Sequence, residues 1–154
     1  MKLNWQDAVN FCRNLNFAGH TNWRLPSRNE LESILDLTEC NPPLPKEHPF
    51  LNVQDYNYWS GSAYSTDGAW YVNMYNGNVG SYYKYFDHYV CPVRSGQFDS
   101  SGSLIISGLS EGQARFTDNS DGTITDNRTG LVWIKDLNSI NSIEVLPSNV
   151  GEDL

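Results

Sequence analysis

The chain has 154 residues, 39% hydrophobic and 18% charged, with a formal net charge of −8 and a sequence pI near 4.6. That length suits one domain with its own core, or one domain and a tail. Ten Lys and Arg against eighteen Asp and Glu argue against nucleic acid, anionic membranes and polyanionic glycans as partners, and no run approaches the ~18 consecutive apolar residues of a membrane-crossing helix.

Residues 1–30 carry no apolar signal-peptide core, and with a helix expected from about residue 5 no targeting segment is expected within these residues. Asn4 is placed as an N-cap, with Asp7 in the first turn. Trp5, Ala8, Val9, Cys12 and Leu15 then recur at helical spacing, predicting an amphipathic helix over about 5–16 with Cys12 on its buried face. Gly19 ends this segment, and Thr21 to Leu25 reads as an extended piece stopped by Pro26. Ser27 and Glu30 form a capping box for a second helix over about 28–37, with Leu31, Ile34 and Leu35 as its stripe. The prolines at 42, 43 and 45 impose a loop that extends to about Tyr56.

From Tyr58 the period changes from 3.6 to 2. Residues 58–62 predict one strand and residues 69–75 a clearer one, with Trp70, Val72 and Met74 facing inward and Tyr71, Asn73 and Tyr75 outward. Asn76-Gly77 is the strongest hairpin signal; a two-residue loop there pairs Met74 with Val79 and places Tyr71 and Tyr82 on one face. A last strand is expected near 89–94. Residues 97–114 read as a Ser- and Gly-rich linker carrying a short strand around Leu104–Ile106. Residues 115–127 predict a second hairpin turning at Asp121-Gly122, and residues 129–134 a further strand. The polar segment 137–154 is expected to be a flexible tail.

All nine tyrosines fall between Tyr56 and Tyr89, joined by Trp59, Trp70 and Phe86. A rigid ring with a polar tip serves a contact surface at low entropic cost, but aromatic enrichment in strands could supply the same excess. The candidate ligand-binding residues are the outward members of this block: Tyr71, Asn73, Tyr75, Asn76, Asn78, Tyr82, Tyr83, Tyr85, Asp87 and His88.

Other chemistry finds less support. Asp118, Asn119, Asp121, Asp126 and Asn127 cluster around Gly122, but an EF-hand register would begin at Thr117 and end at Arg128, both wrong for an oxygen cage. Turn formation explains the cluster, so no cofactor is expected and calcium is the weak alternative. His20, His48 and His88 lie in separate segments without a nucleophile motif, and no catalytic residue is assigned. Cys12, Cys40 and Cys91 lack zinc-ligand spacing; one disulfide with a spare thiol and three reduced thiols both remain open.

Trp5-x-Asp7-Ala8, Cys12 and Leu15, the Trp23-Arg24-Leu25-Pro26 motif with Glu30-Leu31, Tyr58-Trp59-Ser60, Ala69-Trp70-Tyr71-Val72 and the closing Val93-Arg94-Ser95-Gly96 resemble the Lcl C-terminal-like domain family over about residues 3–96. The resemblance implies an α+β fold of C-type-lectin-like form, related to formylglycine-generating sulfatase modifiers, with two helices against short, mostly antiparallel twisted sheets. It also implies a bacterial, often exported and tandemly repeated module, extracellular or on the cell surface in the parent protein. Residues 115–136 resemble a family segment that normally precedes the first helix. Here it follows the last strand, so it is expected to complete a single domain over 1–136, folding back in cis or exchanging into a second copy.

In lectin-like domains a disulfide ties the first helix to the last strand. The resemblance would therefore pair Cys12 with Cys91 and leave Cys40 spare, although the family commonly has Arg in place of Cys91. Trp23, Arg24, Pro26, Trp59, Trp70, Cys12 and Cys91 are read as structural. The sugar-binding signatures of calcium-dependent lectins are missing. The expected function is a noncatalytic, adhesin-like module that recognises glycan or protein through the Tyr- and Asn-rich face. The alternative is a structural repeat packing on neighbouring repeats or subunits. A diversified binding domain is the third reading, and an enzyme the poorest.

Overall fold

The computed structural model describes residues 1–96 and 112–145, so most of the expected linker and residues 146–154 lie outside the described residues. Asn4 caps α1 (Trp5–Asn14), its side-chain oxygen accepting the Asp7 amide at 2.9 Å. Ala8, Phe11 and Cys12 form the buried stripe. The capping box opens α2 (Arg28–Ser33) as the sequence predicts, but the helix stops four residues early. Two local bonds end it. The Ser33 hydroxyl donates back to the Glu30 carbonyl at 2.6 Å, and Asp36 turns the chain by accepting the Thr38 amide and hydroxyl at 3.0 and 2.6 Å.

The strands form two sheets. The first has the order β1 (Lys2–Leu3), β5 (His88–Tyr89), β2 (Asn57–Ala63), β3 (Gly68–Asn73), β4 (Val79–Tyr83). The second has the order β6 (Val93–Arg94), β9 (Val132–Ile134), β8 (Thr123–Asp126), β7 (Phe116–Asp118). Pairing is antiparallel apart from the parallel contact of Tyr58 with Tyr89. This is an α+β fold with two short helices, as expected.

The strand predicted near 89–94 is two strands, one in each sheet, with Pro92 in the connection where a ladder amide would be needed. The crossing explains why Val90 and Val93 lie on opposite sides of the pattern. Val90 packs with Trp59, Cys12 and Leu15, whereas Val93 packs with Tyr58, Val72 and Trp133. Both faces of the first sheet are therefore covered.

Residues 116–134 fold back within the chain, β9 pairing Trp133 with Val93 and Val132 with Arg94. They contribute Ile124, Leu131 and Trp133 to one core cluster and Val132 and Ile134 to the other. The expected flexible tail does not hold for its first part. Leu137 and Ile140 are buried, and the Met1 ammonium donates to Asn141 Oδ1 at 2.8 Å. Ile140, flanked by the partly buried Ile143 and Val145, packs in the cluster that holds the buried face of α1, a tertiary contact that the polar composition of the segment hides.

The residues read as structural hold the two sheets together. Arg24 and Val93 exchange backbone hydrogen bonds at 2.9 Å, while the Arg24 guanidinium forks onto Glu30 at 2.6 and 2.8 Å. Trp23, Pro26 and Trp59 are buried. Trp70 is only half-buried, with the Arg28 guanidinium 4.1 Å from its ring centre, which corrects its inward assignment. Cys12 and Cys91 are buried free thiols rather than the implied disulfide, and Cys40 is exposed. Burial pushes the Cys91 thiol up to about 12, and burial followed by the nearby Cys91 raises Cys12 further, so neither is a reactive thiolate near neutral pH.

Candidate functional site

The β3–β4 hairpin positions the aromatic block, and its register differs from the two-residue loop that Asn76-Gly77 predicts. Val72 pairs with Val79 and Tyr71 with Gly80. The reason lies in Asn73, whose side-chain oxygen accepts the Tyr75 and Asn76 amides at 2.9 and 3.3 Å, starting the turn early. The Asn73 carbonyl then accepts the Gly77 amide at 2.8 Å, with Gly77 at φ +80°. A shift of two residues keeps the face of each side chain, so Tyr71 and Tyr82 do share a face, with ring centres 6.3 Å apart.

The longer loop divides the predicted ligand residues. Asn73, Tyr75, Asn76 and Asn78 belong to the hairpin tip, where Asn73 and Asn76 use their oxygens on the turn's own amides. Tyr82, Tyr83 and Tyr85 lie at the other end of β4 and just beyond it. Asp87 is exposed but does not line the cleft formed there.

Tyr71 and His88 do not face solvent as expected. Tyr71 is half-buried, its ring lying across Gly80, where a Cβ would approach the phenol oxygen to 2.6 Å. His88 is 2% exposed because β5 is an inner strand between β1 and β2. Its imidazole is ringed by Trp59 at 4.3 Å, Tyr82 at 5.4 Å, Tyr71 at 5.6 Å and Tyr56 at 5.7 Å. Neither nitrogen has a hydrogen-bond partner among the described residues. Burial pulls its pKa down to about 4, so the ring is neutral near pH 7 and acts as part of the aromatic packing.

A cleft of about 570 Å³ opens where the β2–β3 turn meets the end of β4, lined by Tyr64, Ser65, Gly68, Ser81, Tyr82, Tyr83, Tyr85 and Phe86. Tyr64, Tyr83 and Tyr85 are 61, 57 and 71% exposed. Their orientation is fixed by neighbouring rings. Tyr83 stacks on Tyr85 at 5.4 Å, Phe86 meets Tyr82 edge-on at 4.7 Å, and Tyr64 meets Trp70 edge-on at 5.1 Å. The facing turn is held by the Gly68 carbonyl, which accepts the Tyr64 and Ser65 amides, and by Lys84, whose ammonium donates to the Thr66 carbonyl at 3.0 Å. The result is a wall of phenol and phenyl faces with two serine hydroxyls and no charged side chain.

Sequence reasoning found Tyr82, Tyr83 and Tyr85 but missed Tyr64, Ser65, Gly68, Ser81 and Phe86. Tyr64 sits beyond the strand predicted to end at 62, and only the pairing of Gly68 with Tyr83 brings the two ends together. Elsewhere, the acidic turn carboxylates are engaged. Asp118 accepts Lys135 Nζ at 2.5 Å, Asp121 accepts the Thr123 amide at 2.9 Å, and buried Asp126 pairs with Arg115 at 3.0 Å.

The model of the Lcl C-terminal domain family matches residues 1–94, the part of the chain that carries α1, α2, the first sheet and β6. Comparison with curated proteins and with solved structures gave no match. The matched region covers more than half of the sequence and includes the whole lining of the aromatic cleft. The chain belongs to the Lcl C-terminal domain family.

Proposed function

We propose that this domain is a noncatalytic recognition module that binds neutral glycan through the cleft between Tyr64 and the Tyr83–Tyr85 pair. One observation carries the reading: several exposed aromatic faces, pre-oriented by their neighbours, surround a concavity that also offers the Ser65 and Ser81 hydroxyls. The C–H face of a sugar ring packs on such rings while its hydroxyls bond the polar tips. The lining sets no carboxylate, imidazole or amine beside the Ser65 and Ser81 hydroxyls to activate them, which favours binding over catalysis. An adhesin-like role at a bacterial surface or in a secreted protein accords with this.

A glycan array followed by titration calorimetry tests the proposal. Tyr83→Ala and Tyr85→Ala should each weaken capture of the best glycan about 10-fold, the effect of losing ~1.5 kcal/mol of stacking, with unchanged melting temperature. Equal capture by the double variant and the native chain overturns it.

A second reading rests on β4 being the outer strand of its sheet with Tyr82 and Tyr83 exposed beside it. Such an edge suits packing on a neighbouring repeat or subunit, including a second copy. In that case the same double variant would change the oligomeric state seen in sedimentation and leave glycan capture untouched.

A further inference from the structure

Arg94 is placed differently from the other partly buried arginines. Arg24 forks onto Glu30 and Arg115 onto Asp126, whereas no carboxylate ion-pairs with Arg94 among the described residues. It is 8% exposed, and its buried Nε has no hydrogen-bond partner. The guanidinium carbon lies 5.8 Å from the Trp23 ring centre, and the side chain lines a recess of about 400 Å³ together with His20, Asn119, Asp121, Thr125 and Gly130. This recess is built around the second sheet and shares no residue with the aromatic cleft.

A guanidinium remains charged even when burial disfavours it, and a desolvated charge without a counter-ion is costly. Asp121 lines the same recess but acts on Arg94 only through space, its carboxylate accepting the Thr123 amide and hydroxyl at 2.9 and 2.5 Å. The recess therefore holds a positive fork and a negative carboxylate that do not touch. A ligand of single charge would satisfy one and oppose the other. A zwitterion satisfies both.

We propose that this recess is a binding site for a free α-amino acid, its carboxylate on the Arg94 guanidinium and its ammonium toward Asp121. The planar fork of arginine matches a carboxylate in bidentate geometry, and a recess of this size admits a small side chain as well. The Trp23 indole N–H donates to the carbonyls of Phe17 and of His20, which lines the recess, at 3.3 and 3.1 Å, so its resonance should shift when the recess fills.

The test is an NMR titration of the intact chain, following the Trp23 indole and Arg94 Nε–H resonances. The probes are L-alanine, L-serine, L-glutamine and L-glutamate at millimolar concentration, with L-lactate and ethylamine as analogues lacking one charge each. At least one amino acid should give saturable shifts of both resonances, and lactate and ethylamine should each bind at least 10-fold more weakly. Asp121→Asn should reduce the amino acid to the affinity of lactate, and Arg94→Met should abolish the difference between the amino acid and ethylamine. Absence of saturable shifts with every amino acid in the native chain overturns the proposal without reference to any variant. Lactate binding as tightly as alanine overturns the zwitterion requirement and with it the assignment.

Discussion

His88 makes the sharpest prediction for a single residue. The unfolded chain takes up a proton near the ordinary histidine pKa of ~6.5, whereas the folded ring resists it until about pH 4. Between those values the unfolded state binds more protons, so folding stability falls as pH is lowered from about 6.5 to about 4. His88→Phe should flatten this limb in urea titrations at stepped pH, and an unchanged slope would remove His88 as its source. Glu30 offers a second case. Burial alone would raise its pKa, yet the Arg24 fork and the Ser27 amide together hold it below the usual carboxylate range. Glu30→Ala removes the cap and the fork at once and should lower stability by about 2 kcal/mol, read as a lower urea midpoint at constant slope. The sequence showed the Glu30 cap because capping is local. It misplaced His88 because burial there depends on which strands lie on either side.

At the scale of elements, the β3–β4 hairpin shows where local signals stop. Asn76-Gly77 correctly announced a reversal, and alternation correctly assigned Val72 and Met74 inward, but the loop length was set by Asn73 capturing the amides of Tyr75 and Asn76. Gly77 occupies the left-handed region at φ +80°, and a Cβ there would meet Leu37 Cδ2 at 2.6 Å. Gly77→Ala should destabilise by about 1 kcal/mol or more, lowering the thermal midpoint by several degrees. Asn73→Ala tests the register itself: amide exchange in residues 75–79 should rise while β2 and the start of β3 stay protected. The cleft was legible only from its β4 side, since Tyr64 and Ser65 reach it through a turn that sequence patterning left unassigned.

In the whole molecule, the carboxyl-terminal hairpin and β9 are part of the core. Arg115 donates to Asp126 at 3.0 Å and also to the Ser33 carbonyl at the end of α2 at 2.5 Å, joining the second sheet to the second helix. Arg115→Met leaves the fully buried Asp126 carboxylate unpaired and should cost about 3 kcal/mol, whereas exposed Arg128→Met should be near neutral. Deleting residues 110–154 removes Ile124, Val132 and Trp133 from two core clusters and takes β9 away from β6. The remnant should lose its cooperative melting transition in calorimetry; a sharp transition would mean that residues 1–96 fold alone. That residues 115–136 complete the domain was legible in the order of segments, but closure in cis was not, because it rests on the tertiary pairing of β9 with the two residues of β6.

The edge-on contact of Tyr64 with Trp70 also gives the cleft an optical signature. Trp23, Trp59 and Trp133 are buried; of the two half-buried indoles, Trp5 lies under the Lys84 ammonium and Trp70 meets Tyr64 edge-on. A ligand that stacks on Tyr64 would exclude water from the Trp70 indole. Cleft occupancy should therefore register as a blue shift in the solvent-sensitive part of the emission, and Trp70→Phe should silence it.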